Sequence, residues 1–144
     1  MKKIAFVIPW HGTNIPGGAE TALREVTEHL AKAGLEIEII STCVKEFLAD
    51  WNVNFHKPGL TVENGIPVRR FKVRKRDANA FNSVNIKLMN DERISPEEEQ
   101  IFIKEMVNSP DMYKYISKHS NEYEFFVYIP YMFGPTYFGC KACP

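Results

Sequence analysis

The apolar run Ile4-Ala-Phe-Val-Ile8 is followed by a loop rich in Gly and Pro, residues 11–18, and then by a helical pattern. No other stretch of the chain restricts its fold as strongly. A strand with apolar side chains on both faces needs cover on both faces, as in a parallel sheet. The helical pattern is Ala19, Ala22, Leu23, Val26, Leu30 and Ala33, one stripe of a helix, with Gly34 as its stop. Residues 36–42 alternate around Ile39-Ile40 and predict a second strand. Strand, glycine loop, helix and strand make a βαβ unit, whose crossover implies parallel pairing.

The rest of the chain extends this frame. Residues 60–63 and 67–73 read as two strands about the turn Asn64-Gly65. Residues 78–89 predict a helix with Phe81, Val84 and Leu88 on one side. Ser95-Pro96-Glu97-Glu98 is a helix start with a capping box, and Ser109-Pro110-Asp111 starts another helix carrying Met112, Tyr115, Ile116 and His119 on one face. Residues 125–131 form a continuous apolar run, expected as another buried parallel strand. Residues 134–144 are expected to be a loop without a closing helix or strand. The predicted fold is α/β: a Rossmann-like open parallel sheet flanked by helices, with a small β-hairpin and a helical insertion. Three or four parallel strands make a thin sheet, so the chain is expected to be part of a longer protein.

Composition limits the function classes. At 144 residues the chain is about one domain, and 44% hydrophobic with 25% charged residues is enough for a folded core. Eighteen Lys and Arg balance eighteen Asp and Glu, so no global field draws the chain to nucleic acid or a membrane. The run at residues 4–10 is too short to span a bilayer, and no small-residue cleavage site follows it. Three cysteines are too few and too odd for a disulfide framework, which points to a reducing, cytoplasmic setting.

The glycine loop carries the chemistry. A turn between a buried strand and a helix offers free backbone N–H groups and the positive end of the helix dipole, where phosphate binds. A P-loop is excluded because Gly18 and Ala19 stand where its Lys and Ser/Thr belong, although Gly12 and Gly17 have the right separation. A dinucleotide fingerprint is excluded because no G-x-G exists and the second strand ends Ser41-Thr42-Cys43 rather than on an acid.

Lys3-Ile-Ala-Phe-Val-Ile-Pro-Trp10, then Pro16-Gly17-Gly18-Ala19-Glu20 and the amphipathic helix, resembles the N-terminal domain of family 4 glycosyltransferases. The resemblance covers residues 1–42 and continues more loosely in Cys43-Val-Lys-Glu-Phe-Leu-Ala-Asp-Trp-Asn52 and Val68-Arg-Arg-Phe71. It implies a two-domain GT-B enzyme, with residues 1–144 an incomplete N-terminal, acceptor-side domain and the C-terminal donor-binding domain absent. The implied reaction moves a sugar from a nucleotide-sugar donor to a sugar, lipid or other hydroxyl acceptor, with retention of configuration and the donor phosphate assisting deprotonation. Gly17 and Gly18 are implied to face the donor's diphosphate or the acceptor, and Glu20 matches the fourth letter of the motif. The family's N-domain histidine has no counterpart, since residues 125–138 hold none, and the catalytic residues stay unassigned. Asp50, Asp77, Asp91 and Asp111 are isolated, so there is no D-x-D motif, and a metal-independent site without a resident cofactor fits better. This chain by itself is expected to be inactive. The alternative is a stand-alone Rossmann-like domain that binds a phosphorylated small molecule at the glycine loop.

The candidate substrate-binding residues are His11, Gly12, Gly17, Gly18 and Glu20 beside the first strand, with Tyr131, Met132 and Phe133 at the end of the last. His11 stands where open α/β folds bind ligands, although a plain loop histidine is the commoner reading. His29 lies near the edge of the helical stripe and reads as a packed or surface histidine, and His56 and His119 have no evident partners. The cluster Arg69-Arg70-Phe71-Lys72-Val73-Arg74-Lys75-Arg76 reads as a solvated strand face, or as a contact for an anionic acceptor or a peripheral membrane surface. Nucleic acid is disfavoured by the neutral chain. Cys140 and Cys143 supply two of the four ligands zinc needs and read as ordinary thiols. Trp51, Asn52 and the aromatics Tyr128, Tyr131, Phe133 and Tyr137 line an acceptor pocket or fill core.

Overall fold

The computed structural model describes residues 2–143. In chain order it contains β1 (Lys3–Val7), α1 (Gly18–Lys32), β2 (Ile37–Thr42), β3 (Gly59–Glu63), β4 (Ile66–Phe71), α2 (Ala78–Met89), α3 (Pro96–Lys104), α4 (Pro110–His119), a 3-10 turn (Ser120–Glu122), β5 (Tyr123–Tyr128) and α5 (Gly134–Ala142). The five strands form one sheet in the order β3-β4-β2-β1-β5. All neighbours pair in parallel except β3, which joins β4 as an antiparallel hairpin through Asn64 and Gly65, both at positive φ. The architecture is a Rossmann-like α/β fold.

The parallel strands in spatial order, β4, β2, β1 and β5, are the third, second, first and fourth parallel strands of the chain. The direction of winding therefore reverses between β1 and β5, and a crevice opens there at the carboxyl ends of the strands. Val68, Ile39, Phe6 and Val127 stand side by side across the sheet, and their face packs with Leu23 and Leu30 of α1. Ala5, Val7 and Ile40 face the other way, onto Met112 and Ile116 of α4. Both faces are covered, which is why β1 and β2 are continuous in apolar or buried positions. α3 carries the expected capping box, Ser95 with Glu98, and α2 and α3 form the helical insertion, stacked through Phe81 and Phe102.

Three expectations are corrected. The apolar run at residues 125–131 is not a buried central strand. The strand is Tyr123–Tyr128, it lies at the sheet edge, and Phe125 is 56% exposed. The loop expected over residues 134–144 is replaced by a helix at Gly134–Ala142, and Pro144 lies outside the described residues. The inner face of α1 is Glu20, Leu23, Thr27, Leu30 and Ala31, while Ala22 and Val26 turn outward. The two inward polar residues, Thr27 and Glu20, each make a buried hydrogen bond. Thr27 donates its hydroxyl to the Leu23 carbonyl at 2.8 Å, and Glu20 accepts from Trp10.

Candidate functional site

β1 delivers Trp10 to the carboxyl edge of the sheet. The chain leaves β1 under control of Thr42, whose backbone N–H and hydroxyl both donate to the Pro9 carbonyl. Residues 11–16 are then pinned to α1 by Arg24, whose Nη1 donates to the carbonyls of Gly12 and Ile15 at 3.2 and 3.1 Å. The loop ends at Gly17, which has φ +131° and precedes the first turn of α1. Glycine is required there: a Cβ would lie 1.8 Å from Oε2 of Glu20.

No side chain caps α1. Its positive end is met instead by Glu20, which folds back beneath Gly17 and is only 7% exposed. Oε1 accepts a 2.5 Å hydrogen bond from the Trp10 indole N–H, and Oε2 has no hydrogen-bond partner among the described residues. Trp10 is itself held by aromatic neighbours: Trp51 stacks on it at 5.6 Å, and Phe133 meets it edge-on at 5.0 Å.

These groups wall a cleft of about 450 Å³. Trp10, Gly17, Gly18 and Glu20 come from the β1–α1 junction, Phe47 and Leu48 from the segment after β2, and Met132 and Phe133 from the segment after β5. The cleft therefore lies at the β1/β5 reversal that the topology singles out. Its walls are mostly apolar and aromatic, with two carboxylates, Glu20 and Glu46, and a helix N-terminus as the polar features. Such a surface stacks on the faces of a ring and accepts from a hydroxyl.

Five of the eight residues singled out from the sequence thus share one cleft: Gly17, Gly18, Glu20, Met132 and Phe133. Tyr131 lies beside them but is 85% exposed. His11 and Gly12 do not line it. Gly12 borders a second cavity, and His11 is buried against Glu63, with its Nε2 3.6 Å from the carboxylate. Burial of the ring, reinforced by Arg70, Arg24 and His56 and opposed by Glu63, pushes the His11 pKa down to about 4, so the ring is neutral near pH 7.

Sequence reasoning missed Phe47, Leu48 and the role of Trp10. Phe47 and Leu48 sit in an irregular stretch whose position becomes clear only once β2 is placed beside β1. The arginines of residues 69–76 mostly turn inward. Arg69 pairs with buried Glu38 at 2.6 Å, Arg70 with Glu63 at 2.6 Å, and Arg74 with Glu105 at 3.3 Å, while Arg76 lies over Trp51 and Phe81. Cys43, Cys140 and Cys143 are free thiols. Among the described residues no group of three or more His, Cys, Asp or Glu is placed to hold a metal, and no helix is long and apolar enough to cross a membrane.

Comparisons of the chain with protein-family models, with curated proteins and with solved structures find no match.

Proposed function

We propose that the chain is the N-terminal, acceptor-side domain of a retaining, metal-independent glycosyltransferase of the GT-B fold, family 4. The observation that supports this most directly is the shared cleft at the β1/β5 reversal. There the Pro16-Gly17-Gly18-Ala19-Glu20 motif faces Met132 and Phe133 across a cleft with ample room for a sugar ring.

In this reading each group has a physical task. The aromatic faces of Trp10, Phe47 and Phe133 stack on the apolar side of an acceptor. The Oε2 atom of Glu20 accepts from an acceptor hydroxyl. Gly17 and Gly18 let the ligand approach the backbone closely. The donor's diphosphate is held by a second domain across the cleft, so residues 1–144 alone transfer no sugar.

The test is sugar transfer by the protein expressed from its full reading frame, with a panel of nucleotide sugars and hydroxyl acceptors. Transfer with retained configuration, insensitive to chelator and lost in Gly17→Val, supports the reading. Neither transfer nor donor hydrolysis across the panel overturns it.

A further inference from the structure

A second cavity, of about 300 Å³, has a different chemistry from the first. It is bordered by residues 12–15 of the glycine loop, and by Lys45, Phe55, His56, Glu63 and Arg70. Three nitrogen-bearing side chains converge on it from separate parts of the fold: Lys45 after β2, His56 from the loop before β3, and Arg70 on β4.

Arg70 is a cation held almost entirely out of water, at 3% exposure. Its Nη2 donates to the His11 carbonyl at 3.0 Å and lies 2.6 Å from Glu63, and its Nη1 donates to Thr61 at 3.2 Å. Among the described residues its buried Nε has no partner, and neither does the buried Nε2 of His56. The His56 backbone is held by its N–H, which donates to the Cys43 carbonyl at 2.9 Å, and its ring meets Phe55 edge-on at 5.0 Å. Lys45 has no carboxylate partner among the described residues and lies over the Phe55 ring at 5.2 Å. The cavity therefore has two cations against one carboxylate, Glu63, which is already engaged by Arg70 and His11. Burial and the charge of Arg70 both lower the His56 pKa, with Glu63 opposing. The excess of cations over carboxylates, not the burial, is what favours an anion in this space.

We propose that this cavity binds the phosphoryl group of a small phosphorylated molecule, with Lys45, His56 and Arg70 as its donors. Arg70 supplies fixed charge, Lys45 a mobile cation at the rim, and His56 an N–H that costs no rearrangement to present. The volume leaves room for a short carbon body beyond the phosphate. The N-terminus of α1 is a poorer seat for the same group, because the Glu20 carboxylate already lies there. This site is independent of the transferase reading and survives its failure.

The experiment follows histidine ring signals of the 144-residue protein by NMR at constant ionic strength. Inorganic phosphate, glycerol 3-phosphate and glycerol are added in turn. Both phosphates are expected to shift the His56 signals saturably, with a dissociation constant of about 1 mM or tighter, and to raise the pH at which His56 titrates. Glycerol is expected to do neither. Lys45→Gln alters an exposed side chain, so it should fold normally and bind both phosphates about tenfold more weakly. No saturable His56 change with either phosphate, an equal response to glycerol, or unchanged affinity in Lys45→Gln would each overturn the proposal.

Discussion

The indole Nε1 of Trp10 donates to Oε1 of Glu20 at 2.5 Å, tying the carboxyl end of β1 to the first turn of α1. Both residues are buried, so the bond is shielded from competing water. Glu20→Ala leaves the indole N–H without an acceptor and is expected to cost about 1–3 kcal/mol. Glu20→Gln keeps an oxygen acceptor and is expected to cost less. Urea unfolding followed by tryptophan fluorescence separates the two. Equal losses in both variants would mean that the charge, and not the hydrogen bond, carries the stabilisation.

The two glycines of the loop predict opposite outcomes. Gly17 has a φ reserved for glycine, and a Cβ there meets the Glu20 carboxylate, so Gly17→Ala is expected to destabilise by about 1–3 kcal/mol. Gly18 has open space where its Cβ would go and opens α1, so Gly18→Ala is expected to be neutral or stabilising by a few tenths of a kcal/mol, up to about 1. Thermal melts of the pair check this. If ligand packs against the Gly18 backbone, Gly18→Ala loses activity or affinity while keeping its melting temperature. That split distinguishes a binding glycine from a structural one.

Acid should weaken the fold through His11. Its native pKa of about 4 lies below the ordinary 6.5. Below pH 6.5 the unfolded chain takes up a proton that the native protein refuses, so stability falls as pH drops towards about 4 and levels off below that. The full contribution is at most about 3 kcal/mol. His56, whose pKa is lowered as well, adds a loss of the same sign. His11→Gln removes the first contribution. The stability difference between wild type and His11→Gln, measured by urea unfolding at pH 7 and pH 4.5, should therefore shift against the wild type in acid. A constant difference would show that the ring is not held neutral.

What the sequence reveals depends on how local the deciding physics is. The β1–α1–β2 start, the Asn64-Gly65 turn and the Ser95/Glu98 capping box were legible because each is a short-range pattern with its own mechanism. Apolar letters alone misplace the inner face of α1. Thr27 and Glu20 face inward, each with a buried hydrogen bond, to the Leu23 carbonyl and from the Trp10 indole, and those partners are known only after folding. The run at residues 125–131 reads as a central strand because apolar content reports burial against anything, not a place within the sheet. The cleft was half legible. Gly17, Gly18 and Glu20 announce themselves by motif, and Met132 and Phe133 by following a strand, but Phe47 and the cavity around Arg70 depend on strand order. Arg70 sat within a run of basic residues that looked solvated, and only the pairing of β4 with β3 brings Glu63 to it.

The last helix offers a test of how the cleft wall is held. α5 begins right after Phe133, and its first residue, Gly134, has no room for a side chain: a Cβ would lie 2.2 Å from the Val107 carbonyl oxygen. Backbone cannot swing aside as a side chain can, so Gly134→Ala must displace α5 or the Val107 segment, at about 1–3 kcal/mol. Gly139 faces a softer obstacle, the Tyr128 ring, at 2.4 Å from its would-be Cβ. Among the described residues the Tyr128 hydroxyl makes no hydrogen bond that would resist movement, so Gly139→Ala is expected to cost less. The two variants should also differ at a distance. Phe133 packs on Trp10 at 5.0 Å, next to Gly134 in the chain, so Gly134→Ala should perturb tryptophan fluorescence and near-ultraviolet dichroism. Gly139→Ala should leave both nearly unchanged. Identical spectra for the two variants would mean that α5 does not position the aromatic wall of the cleft.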